Sequence, residues 1–176
     1  MASRKDAGAK KIQAKNMIEN NNQQHRQIPN GNTPFTKQEI IRFRHADNAG
    51  IVFYPRFLEM LNDLVEDWFD EALGNPFGTM HKTHGIPTVD LKVQFQKPAR
   101  IGDTLNKKLW VIRLGSSSIT CGFRFELENG SPCLGGEVTL VYVSLAGGED
   151  GIRSSPFPEE MKNRIAAFVL NTRPTR

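Results

Sequence analysis

Asp47 is the residue of this chain whose setting suggests chemistry. It lies in the string HADNAGIVFYP, His45 to Pro55, with Asn48, Ala49 and Gly50 behind it and an apolar run ending in Tyr54 and Pro55. A helix-prone, acidic stretch follows at once. The first N–H groups of such a helix have no partner inside it, and its dipole is positive there. That end can stabilise an oxyanion. A carboxylate beside it can attack an acyl carbon or draw a proton from water. Aspartate also favours turns and helix starts for purely structural reasons. Spacing alone leaves both readings open.

The elements that must position Asp47 are legible. Glu39 to Arg44 alternate imperfectly and predict a strand leading into the string. Pro55 suits the first turn of a helix, where its missing N–H costs little. Phe57, Leu61, Leu64, Val65, Trp68 and Ala72 then recur at helical spacing, with acidic residues between them. The pattern predicts an amphipathic helix of about five turns, ended by Gly74, Asn75, Pro76 and Gly78.

Val89, Leu91, Val93 and Phe95 alternate with Asp90, Lys92, Gln94 and Gln96, which predicts a half-buried strand with one wet face. Leu105–Leu114 predicts a second strand, with Leu109 and Val111 inward. Ile119–Glu128 predicts a third, with Cys121, Phe123, Phe125 and Leu127 on one face. Asn129-Gly130 is a hairpin signal, and Leu134–Leu145 predicts a fourth strand. Residues 147–158 read as a loop, and Glu159–Leu170 as a short terminal helix with Met161, Ile165 and Phe168 apolar. The fold class is α+β: a long helix wrapped by a mostly antiparallel sheet, each covering the other's apolar face. The sheet's other face also carries apolar residues, which suits pairing with a second copy.

Asp47-Asn48-Ala49-Gly50-Ile51-Val52-Phe53-Tyr54 before an acidic-apolar helix resembles the 4-hydroxybenzoyl-CoA thioesterase family of the hotdog fold. Val93-Gln94-Phe95, Lys97-Pro98-Ala99-Arg100, Gly102-Asp103, Leu114-Gly115-Ser116-Ser117 and Gly135-Gly136 continue the resemblance over about residues 35–145. The resemblance implies a long central helix wrapped by a curved antiparallel sheet of about five strands. It implies homodimers or homotetramers and hydrolysis of short-chain or aromatic acyl-CoA at sites between subunits. Asp47 matches the family's catalytic aspartate. Tyr54 matches the helix-start residue whose N–H polarises the thioester carbonyl. Asn62 falls near a position that is acidic in the aromatic-specific member, which argues against 4-hydroxybenzoyl-CoA itself. Arg113, Ser116 and Ser117, with Ser118, sit at a turn where family members bind CoA phosphates; an ordinary polar turn explains them equally. No metal or redox cofactor is implied, and coenzyme A is part of the substrate. Asn48 stands where many relatives carry proline, which motivates the alternative of a non-catalytic acyl-thioester-binding protein. A hotdog dehydratase or hydratase would need a His and acid arrangement that does not stand out.

His45, two residues before Asp47, reads as structural. His81 and His84 have no third ligand at metal spacing and read as loop residues. Lys97 and Arg100 can meet a nucleotide but read more simply as solvated, and Asp90 suits a subunit interface.

The formal net charge is +4 over 176 residues. Six basic and two acidic residues fall within 1–33, leaving seventeen of each sign in the remainder. The basicity therefore belongs to a flexible N-terminal extension, residues 1–33, and residues 34–176 form one neutral domain. That balance does not suit a nucleic-acid-binding body. No apolar run approaches the roughly 20 residues of a membrane span, and the extension lacks the apolar centre of a secretory signal. Two cysteines, Cys121 and Cys133, are too few for a disulfide framework and read as reduced thiols of a cytoplasmic protein.

Overall fold

A computed structural model describes residues 33–146 and 151–170. The extension assigned to residues 1–33 lies almost wholly outside them. The chain forms β1 (Phe35–Ile40), a 3₁₀ turn (Phe43–His45), and α1 (Tyr54–Asp67), which continues as a π-helical turn (Trp68–Ala72). Then come α2 (Phe77–Met80), β2 (His84–Gly85), β3 (Thr88–Phe95), β4 (Thr104–Leu114), β5 (Ser118–Leu127) and β6 (Pro132–Val141). β7 (Val143–Ser144), β8 (Arg153–Ser154) and α3 (Glu159–Ala166) complete it.

Five strands make one antiparallel sheet in the order β1-β4-β5-β6-β3. A small second sheet has the order β2-β7-β8. The predicted apolar stripe of α1 is the buried one: Phe57, Leu61, Leu64, Val65 and Trp68 are all at most 5% exposed. It packs on Leu105, Leu109, Ile119, Cys121, Phe123 and Phe125, the inward residues of β4 and β5. The long helix wrapped by an antiparallel sheet, expected from the pattern, is therefore present, and with it the hotdog architecture that the resemblance implies.

Strand β1 ends earlier than the pattern suggests. Ile41 N–H donates to Asp103 O and Ile41 O accepts from Gly102 N–H, at 2.8 and 2.9 Å. The chain then tightens into the 3₁₀ turn, so Arg42–Arg44 are not strand. β3 is not half-buried either. All its residues are exposed except Val93, which is intermediate. The cause is topological: β3 is the sheet's last strand, paired only with β6. Gly136 lets the two approach, because a Cβ there would strike the Lys92 carbonyl.

The fourth predicted strand divides at Tyr142, where the chain changes partners: β6 pairs with β3 and β5, and β7 with β2 and β8. The predicted 147–158 loop contains β8, and residues 147–150 lie outside the described ones. The terminal helix stops at Ala166. Phe168 nevertheless packs edge-on against Trp68, centroids 5.7 Å apart, and residues 168–170 pair with Val111 beyond the end of β1.

Candidate active site

Residues 45–53 form a small hairpin that leads into α1. Phe53 N–H donates to His45 O at 2.9 Å, Ala46 bridges Val52, and Asp47 N–H donates to Ile51 O at 2.9 Å. Gly50 N–H closes the turn on Asp47 O at 3.0 Å. Gly50 has φ +72°, the left-handed conformation that a type I turn with a following bulge requires. This explains glycine three residues after the aspartate. The hairpin rests on the β3–β4 connection through Val52 N–H to Ala99 O at 2.9 Å and a bridge from Ile51 to Arg100.

The Asp47 side chain is exposed at the hairpin tip. Its Oδ1 accepts the Ala49 N–H at 2.8 Å, which fixes the carboxylate against its own turn. Tyr54 opens α1 after an extended Phe53. Pro55 has no N–H, and Arg56 N–H is engaged by Phe53 O at 2.8 Å. The Tyr54 N–H is thus a first-turn donor with no acceptor in the helix. Asp47 pairs through its main chain with Ile51, three residues before Tyr54. The structure sets both at the N-terminal end of α1. Tyr54 is 59% exposed, and its ring meets Phe95 of β3 edge-on at 6.4 Å.

Beyond Phe95, a groove of about 250 Å³ runs between α1 and β3. Leu58, Leu61, Asn62 and Val65 form its helix wall. These continue the Tyr54 face at intervals of three and four residues. Thr88, Leu91, Val138 and Leu140 form its sheet wall, and Phe77 and Ile86 complete the lining. Asn62 thus lies on an apolar groove leading from the helix start. The rest of the lining was invisible in sequence, because it comes from α1, α2, β3 and β6. A larger cavity of about 730 Å³ lies on the other side of α1, against β1. Glu39, Asp63, Glu66, Asp67 and Asp70 line it, with Lys107 and Arg42. Its predominantly acidic wall disfavours a polyphosphate ligand, and Asp47 is not in it. The smaller groove is therefore the better acyl site despite its size.

Arg113, Ser116 and Ser117 lie elsewhere. Ser116 O accepts from Phe157 N–H and Ser117 O from Tyr142 N–H, both at 2.8 Å, and Arg113 Nη2 lies 3.5 Å from Thr120 Oγ1. They occupy the Leu114 end of β4, whereas the Asp47 hairpin rests beside its Thr104 end. Eleven strand residues separate the ends, roughly 30 Å. One chain does not bring this turn to Asp47.

His81 Nδ1 lies 2.9 Å from Phe77 O, and His84 stacks on Tyr142 at 4.8 Å. Both have structural contacts, and among the described residues no three His, Cys, Asp or Glu side chains gather for a metal. Cys121 and Cys133 are free and buried, and burial pushes the Cys121 thiol up to about 12. Among the described residues no helix is long and apolar enough to cross a membrane.

The model of the thioesterase-like superfamily matches residues 41–165, which span the hairpin, α1 and the whole five-stranded sheet except β1. The chain belongs to the thioesterase-like superfamily. Thioester hydrolysis is accordingly its class of enzyme chemistry. This thioesterase-like chain is 26% identical over 129 residues to a 1,4-dihydroxy-2-naphthoyl-CoA hydrolase of Synechococcus elongatus, covering 72% of this chain and 90% of that one. Its fold matches a 1,4-dihydroxy-2-naphthoyl-CoA thioesterase from Synechocystis with a TM-score of 0.67 at 21% identity, over 75% of this chain and 95% of the other. It also matches a Staphylococcus aureus protein solved in complex with CoA, with a TM-score of 0.73 at 15% identity, over 82% and 90% of the two chains.

Proposed function

We propose that this protein hydrolyses acyl-CoA thioesters, releasing a short-chain or aromatic acid and free CoA. The observation that carries this is the hairpin rung between Phe53 N–H and His45 O. It holds a carboxylate and an unpaired helix N–H at one end of an apolar groove. The thioester carbonyl oxygen is placed at the Tyr54 N–H, where the helix dipole adds to the stabilisation of the oxyanion. Asp47 acts in one of two ways. As base, it takes a proton from water while the water oxygen attacks the carbonyl. As nucleophile, its own oxygen attacks, giving a mixed anhydride that water then opens. In either case the C–S bond breaks and CoA leaves as thiolate, which then takes up a proton. Thiolate is a good leaving group, so neither route needs a metal or a serine triad.

The acyl group occupies the groove along α1. Its apolar walls suit an alkyl chain or aromatic ring, and Asn62 can meet a polar substituent on that ring. The relative from Synechococcus elongatus bears the name of an aromatic acyl-CoA hydrolase, which supports the aromatic class.

The active assembly is a homo-oligomer built on β3. That strand pairs on one side only and exposes Val89, Leu91 and Phe95 at 59%, 39% and 53%. Antiparallel pairing of two β3 edges would carry the Phe95 end of one copy to the Thr88 end of the other. The second copy's Arg113, Ser116 and Ser117 turn lies at that Thr88 end, because β5 begins beside Val141 there. It would then supply hydroxyl and guanidinium donors to the CoA phosphates. A cytoplasmic location fits the two buried free thiols.

The test is thiol release from a panel of acyl-CoAs by wild type and Asp47→Asn. Release by wild type alone is expected. A silent wild type across the whole panel would remove the reaction, and undiminished release by the variant would remove Asp47 from it.

A further inference from the structure

His45 is buried at 5% exposure, although it precedes an exposed hairpin tip by two residues. Its main chain and its ring do different things. The carbonyl accepts the Phe53 N–H at 2.9 Å, the rung that fixes the start of α1. The ring turns back: Nδ1 accepts the Arg42 amide N–H at 3.1 Å, closing the 3₁₀ turn as the reaching-back half of a capping box. Arg44 Nε lies 3.0 Å from Nε2. A neutral imidazole has one acceptor nitrogen, so only one of these is a hydrogen bond at a time. The amide is fixed by the main chain and Arg44 is an exposed side chain, so the amide bond is the persistent one and Nε2 carries the proton. Both contacts present a donor to the ring, so a protonated ring could accept neither.

We propose that His45 is a positioning residue whose neutral ring holds the Asp47–Tyr54 hairpin in register, so that its protonation releases the hairpin and turns hydrolysis off in acid. This rests on the hydrolytic reading of Asp47 and Tyr54.

The groups around the ring favour the neutral state. A cavity of about 170 Å³ beside it is lined by Glu39 of β1, Arg44 of the 3₁₀ turn, and Arg56, Glu59, Met60 and Asp63 of α1. Arg42 lies on the near side, and Lys107 of β4 holds Glu39 at 2.7 Å. Burial lowers the imidazole below its ordinary value, and the Arg44 charge lowers it further. Glu39, whose Oε1 is 3.8 Å from Nε2, pulls the other way but is shared with Lys107. Burial also raises Asp63, against the pull of Lys107, which weakens its negative charge as pH falls. A depressed histidine stabilises the fold fully above its unfolded value. That contribution is lost as pH falls through the folded value. The hairpin is thus held at neutral pH and loosened in acid.

Asparagine separates this role from simple packing. Its Oδ1 can accept the Arg42 N–H as Nδ1 does, but it does not titrate. His45→Leu is expected to lower kcat on the order of 10- to 100-fold with KM little changed, as for a displaced catalytic group. His45→Asn is expected to recover part of that loss and to shift the acid limb of wild type to lower pH, leaving only the limb of the reaction's own base. Amide hydrogen exchange reads the hairpin directly. From about pH 7 to about pH 5, Phe53 protection is expected to fall in wild type and hold in His45→Asn. Equal pH dependence of Phe53 protection in the two proteins, or wild-type kcat in His45→Leu, would overturn the proposal. If no acyl-CoA is hydrolysed at all, the reaction fails, while the exchange comparison still decides whether His45 holds the hairpin.

Discussion

Lys107 Nζ lies 2.7 Å from Glu39 Oε2 beneath α1, and the lysine side chain is 5% exposed. Lysine is rarely buried unless paired. Here β1 and β4 supply the pair from neighbouring strands, with Leu105 and Leu109 buried on either side of Lys107. Removing the lysine would leave a carboxylate at 21% exposure without its partner and beside His45. Lys107→Ala should therefore cost about 3 kcal/mol, read as a lower urea midpoint at unchanged slope. Replacing both partners, Glu39→Leu with Lys107→Met, should cost less than the single change. A double variant as unstable as Lys107→Ala would mean that the pair itself, not the stranded charge, matters.

Tyr54 contributes its main chain, not its hydroxyl, to the proposed reaction. Its ring is 59% exposed and touches Phe95 edge-on, a contact that phenylalanine can keep. Tyr54→Phe should leave kcat/KM within about twofold of wild type, since the oxyanion donor is unchanged. A fall of more than about 100-fold would assign the phenol a role in proton transfer.

The groove should sort substrates by acyl size. Leu58 is half-buried on its helix wall, one turn beyond Tyr54. Leu58→Trp should fill the space nearest the carbonyl. KM for aromatic acyl-CoAs should rise by about 10-fold or more, and acetyl-CoA should be spared, because only the larger groups need the filled volume. Equal losses across the series would place the acyl group elsewhere.

Much of this architecture was legible in sequence, for identifiable reasons. Phe57, Leu61, Leu64, Val65 and Trp68 repeat at helical spacing, and nothing in the fold competes with that period. Asp47, Gly50 and Pro55 mark a turn and a helix start by local rules of backbone geometry, but the rungs that make a hairpin of residues 45–53 were not readable, because no alternating pattern marks them. Nor was Lys107. A charged residue between Leu105 and Leu109 breaks the alternation, and only pairing with Glu39, sixty-eight residues away, explains it. The groove was hidden because Phe77, Leu91 and Leu140 share it only through the sheet order. β3 was misread as half-buried because alternation shows that one face is apolar, not what covers it. A helix and a second copy leave the same pattern.

That last ambiguity yields the sharpest test of the assembly. Val89 is 59% exposed on the free edge, beside Asp90, where the β3–β6 register shifts. If two β3 edges pair, Val89 is buried by the partner, and Val89→Asp puts a carboxylate next to Asp90 in a drying interface. Desolvation and like-charge repulsion both oppose association. Light scattering should then show wild type as two or four copies and the variant shifted to the monomer. The fold of each chain should persist, since Val89 packs on little within it. Because the Arg113, Ser116 and Ser117 turn is roughly 30 Å from Asp47 in one chain, the monomer should also lose phosphate contacts. KM for acyl-CoA should rise far more than KM for a truncated thioester lacking the nucleotide. A monomeric variant with wild-type KM for acyl-CoA would show that each chain binds its own CoA, and that the turn does not serve the partner's site.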